Sequence, residues 1–419
     1  MNIFAPIGNA VYSYLRWNYD VWFTKDTCNN SWYEDTYYNL DNFFREVGLK
    51  NSKGEYPVVG YPHKSKKGYS YHINCPIGLS LSDFMKYKEK IEIQVHENIE
   101  IRQSGGHIIV EVITKKLPEN IPYVLPTRTK ESIYIPIGES LQGPIVIDLK
   151  ENPHSYIVGT TGSGKSVCTK GILTSLVNTY GPNEIELYLC DLKMVELSLF
   201  RSLKHTKKFV YTVDDTTEVI ADLLEETKNR YNLFMDNGVT SIFEYNKIPG
   251  VKKMKYQILF IEEAVILLED SKKKAMKLLK QLIAISRASG CYVFLTTQRP
   301  SADIIDNVVK ANINNRIVFA VEDEKNSIIC LDSPEAKDLK GKGNGILKVG
   351  PTKTEFQSYF ISDKQVKEYT KKYIVKNKPL EEPKKENKTI NDKLVNEDIR
   401  EPEKANKEVL TDLSFLDNL

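Results

Sequence analysis

Short apolar runs alternate with longer amphipathic stretches along residues 131–361. The runs are rich in Ile, Val, Phe and Tyr, which is typical of buried strands, and the stretches between them have helical spacing. Strands are predicted at residues 156–158, 185–190, 209–213, 257–261, 291–296, 317–321, 345–349 and 355–361. Helices are predicted at residues 165–180, 216–237, 273–289 and 301–313. This order predicts an α/β fold with a mainly parallel sheet flanked by helices.

A weaker β pattern precedes this region. Its alternating residues predict strands at residues 91–95, 100–102 and 107–113. Gly105 and Gly106 are typical of a hairpin turn, and Ser82 is typical of a helix start. Residues 61–130 are therefore predicted to form a small α/β domain.

The two ends of the chain differ from the middle. Residues 1–60 contain all three tryptophans and predict either a small domain with an aromatic core or an interface for a partner or a membrane surface. One helix is predicted at residues 363–373. Residues 374–419 are dominated by Lys, Glu, Asn and Pro, which predicts a disordered charged tail. Apolar residues return at 409–419, and they predict either a docking peptide or a plain tail end.

Composition narrows the class of protein only a little. The chain of 419 residues is 41% apolar and 27% charged, which excludes a largely disordered or collagen-like protein. Its formal net charge of +2 neither requires nor excludes nucleic acid. No apolar stretch reaches the roughly 18 residues of a membrane-spanning helix. Six scattered cysteines without a C-x-x-C pair give little support to disulfides or metal sites.

The strongest chemical signal is a glycine-rich segment after the strand at 156–158. It has the form G-x-x-x-x-G-K-S and consists of Gly159, Thr160, Thr161, Gly162, Ser163, Gly164, Lys165 and Ser166. Its glycines let backbone N–H groups and a helix N-terminus surround phosphates. In such loops the lysine contacts the β- and γ-phosphates, and the serine hydroxyl binds Mg²⁺. The segment therefore predicts a site for ATP and Mg²⁺.

Two further strand ends carry polar residues. Glu262 and Glu263 follow the strand at 257–261; alone they are equally typical of a solvated strand end. After a phosphate loop, Glu262 is predicted to hold Mg²⁺, partly through water, and Glu263 to polarise the attacking water. Gln298 follows the strand at 291–296 and is predicted to sense the γ-phosphate or position water, with a plain strand-to-loop transition as the alternative.

An ordered set of motifs resembles the FtsK/SpoIIIE family of ATP-driven DNA translocases, within the wider HerA/FtsK group. Along residues 131–373 the set is IPIG (135–138), PH (153–154), GTTGSGKS (159–166), DLKMVEL (191–197), RY (230–231), EE (262–263), RASG (287–290), TTQRP (296–300), KAN (310–312) and NRI (315–317). The resemblance implies a RecA-like P-loop NTPase core over these residues. It also implies a preceding small α/β region and a ring of subunits, hexameric in this family.

The resemblance also implies roles for single residues. Glu263 falls on the catalytic glutamate and Gln298 on the sensor. Arg287 falls on the arginine that is offered to the neighbouring subunit's ATP. Arg299 and Lys310 fall on basic residues similar to those that line the family's DNA channel.

Three departures from the family pattern change these expectations. Glu262 stands where the family usually has Asp, which adds one methylene before the metal-binding oxygens, and Mg²⁺ demands tight geometry. Leu192 stands where the family usually has Pro, beside Lys193. Residues 321–328 contain Lys325 as their one basic residue in a segment that the family makes more basic. A weakly charged DNA-contacting loop is therefore predicted there.

The function implied is a cytoplasmic ATPase that moves double-stranded DNA through a ring of subunits. The sequence after residue 363 is too short for the family's winged-helix domain, and the start lacks a membrane anchor, as in the family's versions on mobile elements. Conjugative transfer is therefore predicted, with a relaxase and membrane secretion-channel proteins as partners that could supply membrane association. A chromosome or plasmid partition translocase is the close alternative. A type VII-like protein secretion ATPase and a non-hydrolysing nucleotide-gated scaffold are two further hypotheses.

Overall fold

The computed structural model describes residues 39–128, 132–270 and 273–375. The predictions for most of the aromatic-rich start and for the tail therefore lie outside the described residues. These residues form two β-sheets with helices packed on them. No helix in the described ranges is long and apolar enough to cross a membrane.

A four-stranded antiparallel sheet and three short helices come first in the chain. The elements are α1 (Leu40–Glu46), β1 (Val58–Lys64), β2 (Gly68–Asn74), α2 (Leu81–Met85), α3 (Lys88–Val95), β3 (Asn98–Ser104) and β4 (His107–Ile113). The strand order is β1-β2-β4-β3, and Gly105 and Gly106 form the turn between β3 and β4. One face of this sheet shares an apolar core with all three helices.

The strand predicted at residues 91–95 is wrong, because these residues form most of α3. The run Ile-Glu-Ile-Gln-Val fits the period of a strand, which would place all three apolar residues on one face. Instead Ile91 and Val95, four residues apart, are fully buried, and Ile93 is exposed. Spacing of four residues is the helical neighbour distance. The core of the small sheet therefore selected two of the three apolar side chains.

The rest of the described chain forms an eleven-stranded sheet and the helices that pack on it. Its strands are β5 (Ile121–Pro122), β6 (Tyr134–Ser140), β7 (Gly143–Asp148), β8 (Ser155–Val158), β9 (Ile185–Asp191), β10 (Thr206–Val210), β11 (Tyr256–Glu262), β12 (Cys291–Thr297), β13 (Asn315–Phe319), β14 (Asn344–Val349) and β15 (Thr352–Phe360). The helices are α4 (Lys165–Thr179), α5 (Val213–Asp236), α6 (Ile242–Tyr245), α7 (Lys274–Ile285), α8 (Asn307–Asn312), α9 (Glu324–Leu331) and α10 (Asp363–Thr370).

The strand order is β10-β9-β11-β12-β8-β13-β14-β15-β6-β7, with β5 beside β15. The first six strands of this order are parallel. The next four extend the sheet with antiparallel pairs. The predicted α/β class, with a large mainly parallel sheet, is confirmed. The carboxyl ends of β8, β9, β11 and β12 consequently lie along one edge of the sheet.

Both faces of the parallel strands are covered by helices. Ile258 and Phe260 of β11 belong to the apolar cluster that contains α4 residues. Leu259 and Ile261 of the same strand belong to the cluster that contains residues of α5 and α7. Because alternate side chains point to opposite faces, a strand buried on both sides needs an unbroken apolar run. This is the pattern that made these strands predictable.

Helix caps set the boundaries that differ from the prediction. Thr212 caps α5, so residue 213 belongs to a helix rather than to the strand predicted at 209–213. Asp306 caps α8, which begins later than the helix predicted from residue 301. Asp323 caps α9, a helix that was not predicted. The DNA-contacting loop predicted at 321–328 is therefore largely helical, and its acids lie at a helix N-terminus, where negative charge is favourable.

Candidate nucleotide-binding site

The glycine-rich segment forms the turn between β8 and α4. Gly164 has a left-handed backbone conformation, with φ of +109°, and α4 begins at the next residue. A Cβ atom on Gly164 would lie 2.5 Å from the backbone nitrogen of Gly343, so a larger residue does not fit. The N–H groups of the turn and the start of α4 are thus arranged as an anion-binding site.

A second loop, residues 340–344, supports this turn. The backbone N–H groups of Lys342 and Gly343 donate to the carbonyl oxygens of Gly162 and Ser163, with N···O distances of 3.3 and 2.8 Å. The side-chain amide of Gln357 donates to the Lys342 carbonyl at 2.8 Å. Sequence reasoning missed this loop, because its glycines carry no motif that links them to a segment so far away in the chain.

Lys165 and Glu262 form an ion pair inside the protein. Their side chains are 2% and 1% exposed. The hydroxyl of Thr296, on β12, donates to the second carboxylate oxygen of Glu262. Burial raises the pKa of Glu262, and the contacts with Lys165 and Thr296 offset this only in part, so its pKa lies above the usual value. The predicted phosphate-binding cation and the predicted metal-binding acid are therefore in direct contact.

Glu263 is held at the end of β11 by three donors. Its Oε1 atom accepts from the hydroxyl of Thr297 at 2.7 Å and from the N–H of Gln298 at 3.1 Å. Its Oε2 atom lies 2.7 Å from the Nζ atom of Lys193. Burial acts to raise the pKa of Glu263, but these hydrogen bonds outweigh it and the pKa lies below the usual value. Glu263 is thus held as a carboxylate near the phosphate loop.

The oxygen atoms around Ser166 are suitable ligands for a magnesium ion that is bound together with a nucleotide. The Ser166 hydroxyl donates to Glu196 at 2.9 Å, and Glu262 contacts the neighbouring Lys165. Within the described ranges, no group of three or more His, Cys, Asp or Glu side chains could hold a metal ion. Mg²⁺ is commonly held by one or two carboxylates together with substrate phosphates and waters. Hydroxyl and carboxylate oxygens beside a phosphate loop match that donor set.

A cavity of about 500 Å³ opens over the phosphate loop. Its lining includes Lys165 and Ser166 together with Asn120, Tyr359 and Phe360. Asn120 is the residue just before β5, and Tyr359 and Phe360 are the last two residues of β15. The size is in the range of ligand-binding clefts. Nothing in the sequence marked these three residues, because only the pairing of β5 with β15 brings them to the phosphate loop.

The other predicted catalytic residues lie at two different edges of the sheet. Gln298 follows β12 at the carboxyl edge, and its side-chain oxygen accepts from the Thr161 hydroxyl at 3.4 Å. Arg287 lies between α7 and the start of β12, at the amino edge, where it donates to the Lys150 carbonyl at 3.3 Å. The strands are parallel, so Arg287 and the phosphate loop of one chain are at opposite edges. Arg287 is exposed.

The two residues predicted to contact DNA are not brought together. Arg299 is exposed at the carboxyl edge, two residues after the end of β12. Lys310, on α8, forms an ion pair with Asp332 at 2.7 Å. The same carboxylate binds Arg316 at the amino end of β13. Lys310 therefore lies towards the amino edge, and its charge is engaged within the chain.

A parallel sheet with a phosphate loop after β8 and two adjacent acids at the end of the nearby β11 defines the fold of a P-loop ATPase. The chain belongs to the FtsK/SpoIIIE family, whose profile matches residues 126–337. This confirms the resemblance identified from the sequence motifs.

Curated relatives match this chain over part of their own length. The DNA translocase SpoIIIE of Bacillus subtilis (strain 168) is 30% identical over 361 residues, which is 81% of this chain and 45% of that protein. The DNA translocase FtsK of Staphylococcus aureus (strain MRSA252) is 31% identical over 279 residues, 63% of this chain and 34% of that protein. The chain thus spans about a third to a half of the length of these relatives.

Two solved structures share the fold. The monomer of the pCW3 conjugation coupling protein TcpA has a TM-score of 0.57 and 24% identity, covering 80% of this chain and 98% of that one. EssC (ATPases 2 and 3) from Geobacillus thermodenitrificans has a TM-score of 0.55 and 20% identity, covering 62% of this chain and 51% of that one. At these identities the likeness shows the fold alone.

Proposed function

We propose that this chain is an ATPase that moves DNA. The observation that carries the proposal is the convergence of Lys165, Ser166, Glu262 and Glu263 at one edge of the parallel sheet. A cation, a hydroxyl and two carboxylates next to the backbone N–H groups of the phosphate loop form a site for a metal-bound triphosphate. Membership of a DNA translocase family supports the coupling of this site to DNA.

Each residue of the site has one task. Lys165 and the N–H groups at the start of α4 bind the phosphates, which requires Lys165 to exchange the Glu262 carboxylate for phosphate oxygens. Ser166 and Glu262 would hold Mg²⁺, the latter partly through water; the ion supplies charge neutralisation of the β- and γ-phosphates. Glu263 accepts a hydrogen bond from the attacking water and orients it. Gln298 senses the γ-phosphate or positions the same water.

The ATPase would work as a ring, hexameric by analogy with its family. Arg287 cannot reach the phosphate loop of its own chain from the amino edge. Its guanidinium donates to the Lys150 carbonyl but is exposed, so it can face a neighbour's site. A guanidinium supplied in trans stabilises the charge that develops on the transferred phosphoryl group. Hydrolysis in one subunit would then be coupled to the next.

Double-stranded DNA is the proposed cargo, contacted by Arg299 and Lys310. The net charge is close to zero, so affinity would depend on a few cations and on salt. We further propose a role in conjugative transfer, with a relaxase and channel proteins as partners. The likeness in fold to a conjugation coupling protein over 98% of its length supports this. Chromosome or plasmid partition and protein secretion remain alternatives, the latter because EssC shares the fold.

Hydrolysis of ATP, measured alone and with double-stranded DNA, single-stranded DNA or a protein substrate, tests the proposal. We expect double-stranded DNA to stimulate turnover. Arg299→Ala and Lys310→Ala should each reduce the stimulation and leave basal turnover intact. Each lost phosphate contact should lower the log–log salt slope of DNA binding by about one unit. Lys207→Ala, an exposed lysine on β10, is the control.

Three results would contradict the proposal. Turnover that is indifferent to DNA at low salt argues against a DNA motor. Stimulation by a protein substrate favours the secretion hypothesis. Binding of ATP without turnover under any condition favours a nucleotide-gated scaffold.

A further inference from the structure

The loop that follows β9, residues 191–197, contacts two groups of the proposed ATPase site. The Nζ atom of Lys193 lies 2.7 Å from Oε2 of Glu263. Glu196, three residues further along the loop, accepts from the Ser166 hydroxyl at 2.9 Å. Neither Lys193 nor Glu196 has a role in the mechanism described above.

Two hydrogen bonds close this loop on itself. The N–H of Met194 donates to the carbonyl oxygen of Asp191, and the N–H of Leu197 donates to the Asp191 carboxylate, both at 2.9 Å. Asp191 and Leu197 are fully buried. The loop is thus anchored at both ends, and between them it carries Lys193 and Glu196. Lys193 and Glu196 are therefore carried by one short segment that is closed at both ends.

Backbone strain shows that the arrangement is maintained by its contacts. Met194 and Glu263 both have left-handed conformations, with φ of 60° and 58°. Such conformations are unfavourable for residues other than glycine and persist where surrounding contacts hold them. Met194 is also 61% exposed, so between the two buried ends of the loop little packing opposes a movement of the Lys193–Met194 segment once a contact is lost.

Lys193 is the donor on Glu263 that is able to leave. Thr297 belongs to β12 and is completely buried, and Gln298 donates through its backbone, so both donors to Oε1 are fixed. The Lys193 side chain is 39% exposed and long. It lies closer to Oε2 than the Gln298 N–H, which also donates to this oxygen at 3.4 Å.

We infer that Lys193 is a positioning residue that restrains Glu263 until a triphosphate is bound. The γ-phosphate offers Lys193 a stronger anionic partner, and ligand binding at Ser166 acts on the same loop through Glu196. Transfer of Lys193 from Glu263 to the phosphate removes the cation from Oε2, which then accepts a hydrogen bond from the attacking water and orients it. This inference rests on the proposed ATPase function, and it adds that the 191–197 loop links occupancy of the site to activation of its base.

Lys193→Met tests the restraint, because it removes the charge and keeps an unbranched side chain. Lys255→Met is the matched control, because Lys255 pairs with Glu186 at 3.0 Å and its side chain is 36% exposed. This pair lies at the amino ends of β9 and β11, whereas Lys193 and Glu263 lie at their carboxyl ends. We expect Lys193→Met to raise turnover without DNA about threefold or more and to reduce the stimulation by DNA. Lys193→Arg should restore both wild-type values, and Lys255→Met should change neither.

Lower turnover of Lys193→Met in the absence of DNA would overturn the inference, because it would give Lys193 a role on the phosphate alone. The same holds if Lys193→Met and Lys255→Met behave alike.

A second measurement needs no turnover. Thermal unfolding of the wild type, Lys193→Met, Glu263→Gln and the double variant forms a double-mutant cycle. We expect coupling between the two residues in nucleotide-free protein and its loss with saturating Mg²⁺ and ATPγS. Coupling that persists, in protein that the nucleotide stabilises, overturns the restraint and leaves the proposed function standing. A wild type that Mg²⁺ and ATPγS fail to stabilise contradicts the proposed function and the restraint with it.

Discussion

The Nζ atom of Lys310 lies 2.7 Å from one carboxylate oxygen of Asp332, and the other oxygen of this carboxylate binds Arg316 and Lys348 at 2.8 and 2.6 Å. Partial burial acts to raise the pKa of Asp332, but hydrogen bonds from these three cations hold it well below its usual range. A DNA phosphate must therefore compete with an acid of the same chain for Lys310.

We expect Asp332→Asn to strengthen DNA binding, because it releases Lys310 from its acid. Asparagine also tolerates the left-handed backbone at this position, where φ is 59°. The affinity, measured by fluorescence anisotropy over a range of salt, should rise severalfold, with a log–log slope steeper by about one unit. Lys310→Ala added to this variant should cancel the gain. A gain that survives this second change would exclude Lys310 as the DNA contact.

The same variant should be less stable than the wild type at neutral pH, since three cations lose their shared acid. A carboxyl group with a depressed pKa contributes stability above its unfolded pKa, near about 4, and loses it as the pH falls through the folded value. The difference in Tm between wild type and Asp332→Asn should therefore be largest above about pH 4 and shrink at more acidic pH. A difference that is independent of pH would contradict this.

Lys165→Ala should abolish ATP binding, measured with a fluorescent nucleotide, because the cation at the phosphate loop is lost. It also leaves Glu262 buried without its partner, which typically costs about 3–5 kcal/mol of stability. Burial already raises the pKa of Glu262, so protonation relieves this cost, and the loss should be smaller at pH 5 than at pH 7. Lys165→Ala with Glu262→Gln should recover stability without ATP binding. Failure to recover would show that the ion pair is not the cause.

Glu263→Gln should bind ATP normally and hydrolyse it at least about 100-fold more slowly, because the carboxylate that orients water is lost. A steady-state assay and a nucleotide-binding titration on the same protein separate the two effects. Glu262→Gln is the comparison, and there we expect weaker Mg²⁺-dependent binding as well. Hydrolysis that survives in Glu263→Gln and fails only in Glu262→Gln would reverse the assignment of the two acids.

Arg287→Ala should lower turnover only in assembled rings, because its guanidinium serves a neighbouring site. Mixing Arg287→Ala subunits with Lys165→Ala subunits should restore part of the activity, since an intact Arg287 then faces an intact phosphate loop. The activity of mixtures at several ratios is the measurement, with ring formation followed by size-exclusion chromatography. No recovery in mixed rings would argue that Arg287 is structural.

Gly343→Ala should weaken nucleotide binding although residue 343 lies outside the phosphate-loop motif. Its φ is +96°, and an added Cβ would lie 2.7 Å from the amide nitrogen of Gln357, which holds the supporting loop. Gly350→Ala is the matched control, with φ of +58° and open space around the added Cβ. We expect a loss of ATP affinity of tenfold or more in the first variant and none in the second. Equal losses would mean that backbone strain, not the supporting loop, is responsible.

The sequence alone was enough to predict the fold class and the phosphate-loop residues, and there is a physical reason for this. Strands buried on both faces need unbroken apolar runs, and a phosphate loop needs glycines, a lysine and a serine at fixed spacing. These requirements are local, so Lys165 and Glu263 could be singled out without knowing any contact. Residues 91–95 fit both the period of a strand and the spacing of a helix, so the local pattern could not decide between the two. The packing of Ile91 and Val95 into the core decided it.

The tertiary structure decided which charged groups face one another. Lys193 meets Glu263, and Lys310 meets Asp332, across distances in the chain that no spacing rule covers. Arg287 is separated from its own phosphate loop because parallel strands put their two ends at opposite edges of the sheet. Motif chemistry is set by neighbours in the sequence, whereas ion pairing depends on how strands are ordered and which loops their ends bring together.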